Sequence, residues 1–242
     1  MIQPTTTLRE IALANPATIR VFERHHLDYC CGGRRPLGEV CAERNLDVAV
    51  LMAELNQLGR EKPSFNPEKA TLTKLIDYIL TTHHAWVRAE LPRLQQMAAK
   101  VTAKHGSQHP ELLQMLPMVQ KLASEMLDHM AKEEQVLFPY VQGLEQAQQG
   151  QSELPHACFP TVAYPIRAME FEHEAAGALM EQFRALTRGY TLPADACPTL
   201  AGLYAGLQDY ERDLHRHAHL ENSLLFPRAL ELESKTVVPG LV

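Results

Sequence analysis

Apolar residues recur every three or four positions along four long stretches of the chain, and this spacing is typical of helices that bury one face. The stretches are residues 70–103, 111–142, 163–188 and 198–230. Polar connections that contain glycine or proline separate them. Four amphipathic helices joined in this way predict an all-α fold, with an antiparallel four-helix bundle over residues 70–233.

Shorter helices are predicted in residues 1–58, which form a small amino-terminal module. Thr7 and Asp47 each precede an apolar helical stretch and are predicted helix caps, while Pro16 begins a helix between them. The remaining segments are a polar linker interrupted by prolines and a loose tail, residues 59–69 and 234–242. The sequence therefore predicts a small helical module joined by a linker to a larger bundle.

The motif H-x-x-x-E-x-x-x-L-F-P occurs twice, on the second and on the fourth predicted long helix. Its histidine and glutamate are His129 and Glu133 in the first copy, and His217 and Glu221 in the second. Residues four apart lie on one face of a helix, so each copy directs an imidazole and a carboxylate to one point. That face is otherwise apolar and is predicted to include Val136 in the first copy. Two buried carboxylates need a compensating charge, which a bound cation supplies.

Two further histidines complete this pattern on the first and third long helices. His84 and His173 each lie on an apolar stripe and are 89 residues apart, close to the 88 residues that separate the two motifs. A single histidine on such a stripe is usually a hydrogen-bonded core residue, but four in register with two glutamates favour a metal site. The predicted ligands are His84, His129, Glu133, His173, His217 and Glu221. Glu134, one step round the helix from Glu133, is expected to contribute little.

The other histidines serve as a control for this count. His215 and His219 are each two residues from His217, which turns them about 200° round the helix and predicts that they lie on the solvated face. His83 fits its apolar stripe less well than His84 does. The remaining histidines lie outside the four stripes and are predicted at the surface: His25, His26, His105, His109 and His156.

Composition and charge narrow the classes of function. The chain has 242 residues, of which 45% are hydrophobic, enough for a sizeable core. A net charge of −6 without a block of lysine and arginine argues against nucleic acid as the main partner. No apolar run approaches the roughly 18 residues of a membrane span, and no secretory leader is recognisable, so we expect a cytoplasmic protein without a membrane partner. Five unevenly spaced cysteines do not suggest a disulfide framework.

Two adjacent cysteines stand out in the amino-terminal module, in the run Tyr29-Cys30-Cys31-Gly32-Gly33. Neighbouring cysteines do not readily bridge each other, because a disulfide requires a larger separation of the two Cα atoms. The glycines leave room for another group to approach the backbone. The pair is either a thiol site for redox or metal handling or two small hydrophobic residues in a tight turn, and the sequence leaves both interpretations open.

The donor set points to two metal ions. Four histidines and two glutamates are too many ligands for one tetrahedral zinc, and the thiolates of structural zinc sites are missing. Imidazole with carboxylate suits iron, and carboxylates from opposite helices can bridge two ions. Ferritin-like di-iron sites require Glu-x-x-His on two helices, whereas here only Glu170 and His173 have that spacing on a predicted bundle helix.

Four histidines with two H-x-x-x-E helices resemble the haemerythrin-like di-iron fold. Oxygen-carrying haemerythrins have a further histidine four residues after the ligand of the third helix, where this chain has Gly177. That difference is expected to leave an exchangeable coordination position. Together with the Cys30-Cys31 segment, the bundle resembles the repair of iron centres family, the YtfE/ScdA-like di-iron proteins, over nearly the whole chain.

The resemblance implies a cytoplasmic, homodimeric protein that restores iron-sulfur clusters damaged by nitric oxide or peroxide. It implies two irons on the same six residues, bridged by Glu133, Glu221 and an oxo group. Two mechanisms remain open. In the first, which we favour, the protein is a non-enzymatic donor that passes iron to damaged iron-sulfur proteins, with Cys30 or Cys31 as a thiol relay. In the second, nitric oxide is the ligand and is scavenged or reduced to nitrous oxide.

Overall fold

The computed structural model describes residues 2–58 and 65–236, so residues 59–64 of the predicted linker and 237–242 of the predicted tail lie outside the described residues. The α-helices are α1 (Leu8–Ala14), α2 (Ile19–Arg24), α3 (Leu37–Glu43), α4 (Val48–Gln57), α5 (Leu72–Tyr78), α6 (Ala85–His105), α7 (Glu111–Lys132), α8 (Phe138–Gln148), α9 (Ala163–Leu186), α10 (Pro198–Leu220) and α11 (Phe226–Thr236). In this part of the chain, Thr7 and Pro36 form an isolated β-bridge but no sheet is present. The prediction of an all-α fold is confirmed.

The short helices begin where the sequence predicts. Thr7 caps α1 by accepting the backbone N–H of Glu10, whose side chain accepts the Thr7 N–H in return. Asp47 accepts two backbone N–H groups at the start of α4. A 3₁₀ turn begins at Pro16 and leads directly into α2. Local capping chemistry therefore sets these boundaries.

The chain divides into two compact units. The first contains the described residues of 1–70 and the segment 215–227. Its core is formed by apolar side chains, among them Leu8, Phe22 and Tyr29. The domain boundaries predicted from the sequence remain a prediction, because this division follows contacts rather than chain order.

The second unit contains residues 71–214 and the described part of 228–242. Its core is formed by the apolar faces of the long helices, with Leu94, Leu122, Phe183 and Leu207 all fully buried. These residues recur at the three- and four-residue spacing of the sequence pattern, so hydrophobic burial explains why the helices associate. No helix of the described residues is both long enough and apolar enough to span a membrane.

Within residues 65–236, three π-helical turns interrupt the long helices, at Ile79–His84, Glu133–Leu137 and Glu221–Leu225. The second turn begins at Glu133 of the first motif, and the third begins at Glu221 of the second motif. Pro139 and Pro227 lack the N–H that a regular α-helix requires, and the preceding N–H groups of Phe138 and Phe226 bond to carbonyls five residues back. The L-F-P ending of the motif therefore gives a wide turn directly after each glutamate.

The wide turn corrects one prediction. Val136 was expected on the buried face of the first motif, but it is 36% exposed, whereas Leu137 is 1% exposed. A π-helical turn holds one more residue than an α-helical turn, so the count of three positions from Glu133 fails at Val136.

Candidate metal centre

All six predicted ligands are buried, with 1% or less of each residue exposed. They form two overlapping groups, in each of which one ligand atom per residue lies within 4.8 Å of the others. The first group is His84, Glu133, His217 and Glu221, and the second is His129, Glu133, His173 and Glu221. The structure thus brings the six side chains together, with both glutamates in both groups. Their role as metal ligands remains a prediction.

Within these groups, Glu133 faces two imidazoles. Its Oε2 lies 3.3 Å from Nε2 of His84, and its Oε1 lies 3.3 Å from Nε2 of His129. On the fourth long helix, Nε2 of His217 lies 3.0 Å from Oε1 of Glu221. A carboxylate with one oxygen toward each of two imidazoles has the arrangement needed to bridge two ions.

The outer nitrogens of two histidines are held by carboxylates. Nδ1 of His84 lies 2.7 Å from Oε1 of Glu134, and Nδ1 of His129 lies 2.9 Å from Oε2 of Glu172. A carboxylate accepts a hydrogen bond, so it favours the tautomer with the proton on Nδ1. The inner Nε2 then carries the lone pair that a metal requires. Nε2 of His173 lies 3.1 Å from Nε2 of His129. The Nε2 atoms of His84 and His129 therefore lie close to Glu133, and that of His173 lies close to His129.

Basic residues hold these two carboxylates in turn. Arg88 donates two hydrogen bonds to Glu134, of 2.7 and 2.9 Å, and Lys132 donates one to Glu172. Partial burial acts to raise the pKa of the Glu134 carboxyl, but the hydrogen bonds from Arg88 and His84 outweigh it, so this pKa lies below its ordinary value. Partial burial also acts to raise the pKa of Glu172, but the hydrogen bonds from Lys132 and His129 outweigh it, so this pKa is lowered too. Both carboxylates therefore stay ionised and able to accept from the imidazoles.

Sequence reasoning missed these carboxylates, and the contact of Glu134 with His84 argues against the expectation that Glu134 contributes little. Glu134 follows Glu133 and Glu172 precedes His173, so each points about 100° away from the neighbouring ligand on its own helix. Each instead contacts a histidine on another helix. A carboxylate next to a predicted ligand was the available signal, but its partner is visible only after the helices pack.

The control histidines also give a correction. His219 was predicted on the solvated face, but it is 4% exposed. Its ring lies edge-on to Tyr29, with centroids 5.4 Å apart, and its Nδ1 lies 3.1 Å from Oγ of Ser223. Burial lowers the pKa of His219 to about 4. The surface prediction failed because it considered the bundle core alone, whereas Tyr29 packs against this side of the helix.

The other histidines fit the sequence argument more closely. His26 and His156 are exposed, and His25, His105, His109 and His215 are half-buried. His83 is buried and its Nδ1 lies 2.8 Å from Oδ1 of Asp213. His83 is therefore a core histidine with a carboxylate partner, and it is absent from both groups of candidate ligands.

The two adjacent cysteines lie in a turn organised by Asp28. The Asp28 carboxylate accepts the backbone N–H groups of Cys30 and Cys31 at 3.0 Å and that of Gly32 at 2.8 Å. A Cβ at Gly33 would lie 2.2 Å from the carbonyl oxygen of Tyr29, so this position requires glycine. The turn is therefore fixed by its own sequence.

The two thiols are free and lie close together, with the Sγ atoms of Cys30 and Cys31 3.8 Å apart. Asp28, Cys30 and Cys31 form a third group whose ligand atoms all lie within 4.8 Å of one another. The hydrogen bond to the Cys31 sulfur, burial and the charge of Asp28 raise the pKa of the Cys30 thiol well above its ordinary value. Cys30 is thus a protonated thiol at neutral pH, beside a partner that is half-buried.

Two family models together span almost the whole chain. The model described as "Hemerythrin HHE cation binding domain" matches residues 75–229. The ScdA_N model, described as a domain of unknown function, matches residues 4–59. The "Iron-sulfur cluster repair protein YtfE" of Musicola paradisiaca is 39% identical over 229 residues, which are 94% of this chain and 97% of that protein. Proteins of the same name from Yersinia pseudotuberculosis and Yersinia pestis are 37% identical with the same coverage.

The chain belongs to the YtfE family. The predicted resemblance is confirmed, and the hemerythrin match contains all six buried residues while the ScdA_N match contains both adjacent cysteines. A Cβ placed on Gly177 would meet nothing within 4 Å, so this YtfE-family chain has open space where haemerythrins of the oxygen-carrying type have a histidine. An exchangeable position there stays a prediction.

Proposed function

We propose that this chain is an iron donor for the repair of damaged iron-sulfur clusters. The observation that carries the proposal is the buried convergence of four imidazoles and two carboxylates in a chain that is similar over nearly its whole length to proteins named for iron-sulfur cluster repair. We infer two irons per chain, bridged by Glu133, Glu221 and an oxo group.

The donor set fits this metal. Imidazole and carboxylate are suitable ligands for iron, and neither group of buried candidates contains a cysteine, which separates the site from structural zinc sites. The charges of Glu133 and Glu221 offset the charge of bound cations in a buried site. Glu134 and Glu172 orient His84 and His129 from outside. Bound iron would supply ligand exchange and a change of oxidation state.

The cysteine pair is part of the proposal as a thiol relay. Cys30 and Cys31 lie with Asp28 in a group that offers two sulfur ligands and one oxygen ligand. Because the pKa of Cys30 is raised, taking up a metal ion there requires loss of a proton. That requirement favours brief binding over permanent storage, which is the property of a relay.

Location and partners are also proposals. We place the protein in the cytoplasm as a homodimer that acts on damaged iron-sulfur proteins, without a nucleic acid or membrane partner. Nitric oxide reduction is not favoured, because the relatives are named for repair.

The direct test is iron content and iron delivery. The anaerobically reconstituted protein should hold about two irons per chain and should restore activity to a client enzyme whose cluster has been damaged. Glu133→Ala should lose iron and delivery, whereas Glu125→Ala, an exposed glutamate paired with Lys121 on α7, should keep both. A protein that binds one zinc, or that consumes nitric oxide catalytically without delivering iron, would overturn the proposal.

A further inference from the structure

The two copies of the motif have the same sequence ending but different surroundings. In the first copy, Gln135 and Pro139 are exposed, so water reaches the turn. In the second copy, the equivalent residue Ser223 is buried and Pro227 is half-buried. The turn Glu221–Leu225 therefore has to satisfy its backbone groups from protein atoms.

The buried copy has a carbonyl group that needs such a partner. Pro227 has no N–H to donate to the carbonyl of Ser223, four residues before it. Arg9 provides a donor from the amino-terminal part of the same compact unit, since its Nη2 lies 2.6 Å from the Ser223 oxygen. A hydrogen bond from a charged donor is short and strong, so Arg9 holds the turn that begins at Glu221.

Arg9 also holds the cysteine turn. Its backbone N–H donates to the carbonyl of Gly33, with the nitrogen and oxygen atoms 2.7 Å apart. On the other side of the same turn, Nδ2 of Asn222 lies 3.8 Å from Sγ of Cys31. One arginine thus connects the backbone after the cysteine pair with the backbone that carries Glu221.

We propose that Arg9 is a positioning residue for the metal centre, which acts through the turn Glu221–Leu225 and links it to the Cys30-Cys31 turn. The inference rests on the proposed role of Glu221 as a ligand. The coupling acts in both directions. An ion that fixes Glu221 also restricts the cysteine turn, and loss of Arg9 lowers the affinity for the ion.

The test compares metal affinity in matched variants. Dissociation constants for Fe²⁺ and Co²⁺ are measured by competition with a chelator for the wild type, Arg9→Met, Arg9→Lys and Arg24→Met. Arg9→Met should bind about tenfold more weakly, the size expected when a group supporting a ligand is lost, and Arg9→Lys should recover part of that loss. Arg24, an exposed arginine of the same unit that pairs with Glu54, is the control and should bind as the wild type does.

A second measurement follows the link to the thiols. Two equivalents of Co²⁺ should slow the labelling of Cys31 by iodoacetamide in the wild type, and Arg9→Met should remove that difference. A folded Arg9→Met with wild-type affinity overturns the inference and leaves the proposed function intact. Should Arg9→Met fail to fold, equal labelling of the wild type with and without metal overturns it. A wild type that binds no metal overturns the proposed function itself.

Discussion

Glu134 gives the sharpest test at the scale of single residues, because it contacts a candidate ligand without belonging to the ligand set. Glu134→Ala removes the acceptor of the His84 Nδ1 proton and leaves Arg88 without that partner. We expect metal affinity to fall by about tenfold while the protein stays folded. Chelator competition measures the effect, with Glu125→Ala as the control. Equal affinities in the two variants would return Glu134 to the role of a surface residue.

The pH dependence of Cys30 labelling is a second prediction at this scale. A thiol reacts as the thiolate, so a raised pKa moves its reaction with iodoacetamide to higher pH. Mass spectrometry of the native protein should show Cys30 labelling that rises at higher pH than in the urea-denatured chain. Asp28→Asn removes one negative charge beside the sulfur and should move the native curve to lower pH. A native curve that overlays the denatured one would contradict the proposed environment.

The sequence was sufficient for the six candidate ligands because each lies on the apolar face of its own helix, and that face can be counted along one helix. It was insufficient for Glu134 and His219, whose partners lie on other elements. A hydrogen bond between helices depends on which faces meet. The repeated motif carries no information about which helix faces meet.

At the scale of an element, α7 offers two leucines with opposite surroundings. Leu122 is fully buried in the bundle core, whereas Leu127 on the same helix is 42% exposed. Leu122→Ala should lower the free energy of unfolding by about 2–5 kcal/mol, because it removes apolar contacts and leaves a cavity. Leu127→Ala should change it by about 0.5 kcal/mol or less. Urea denaturation of both variants checks this, and similar losses would mean that the face of α7 is wrongly assigned.

Helix positions were predictable since amphipathic spacing and capping residues are local properties. The π-helical turns were not predicted, although Pro139 and Pro227 were visible in the sequence. A proline inside a helical pattern allows several outcomes, including a kink or a helix end. A π-helical turn forms in this chain because it allows Leu137 and Phe138 to reach the core.

At the scale of the whole molecule, iron binding and iron delivery are predicted to be separable. Cys30→Ala combined with Cys31→Ala should keep the iron content and the visible spectrum of the six-residue site, because no sulfur belongs to those groups. Delivery to a damaged cluster should fall, since the half-buried thiol of Cys31 is more accessible to a client than the buried imidazoles are. Cys158→Ala, at an exposed cysteine, is the control. Unchanged delivery in the double variant would make the pair a packing feature.

The wide turns also bear on how chains of this kind can change in length. A helix with a π-helical turn corresponds to an α-helix with one residue inserted. Deleting a residue between Glu133 and Pro139 would rotate everything beyond it by about 100° and take Leu137 out of the core. The connection between α8 and α9, residues 149–162, has no such register to keep. Length differences among homologous chains are therefore expected in that connection and not inside either motif.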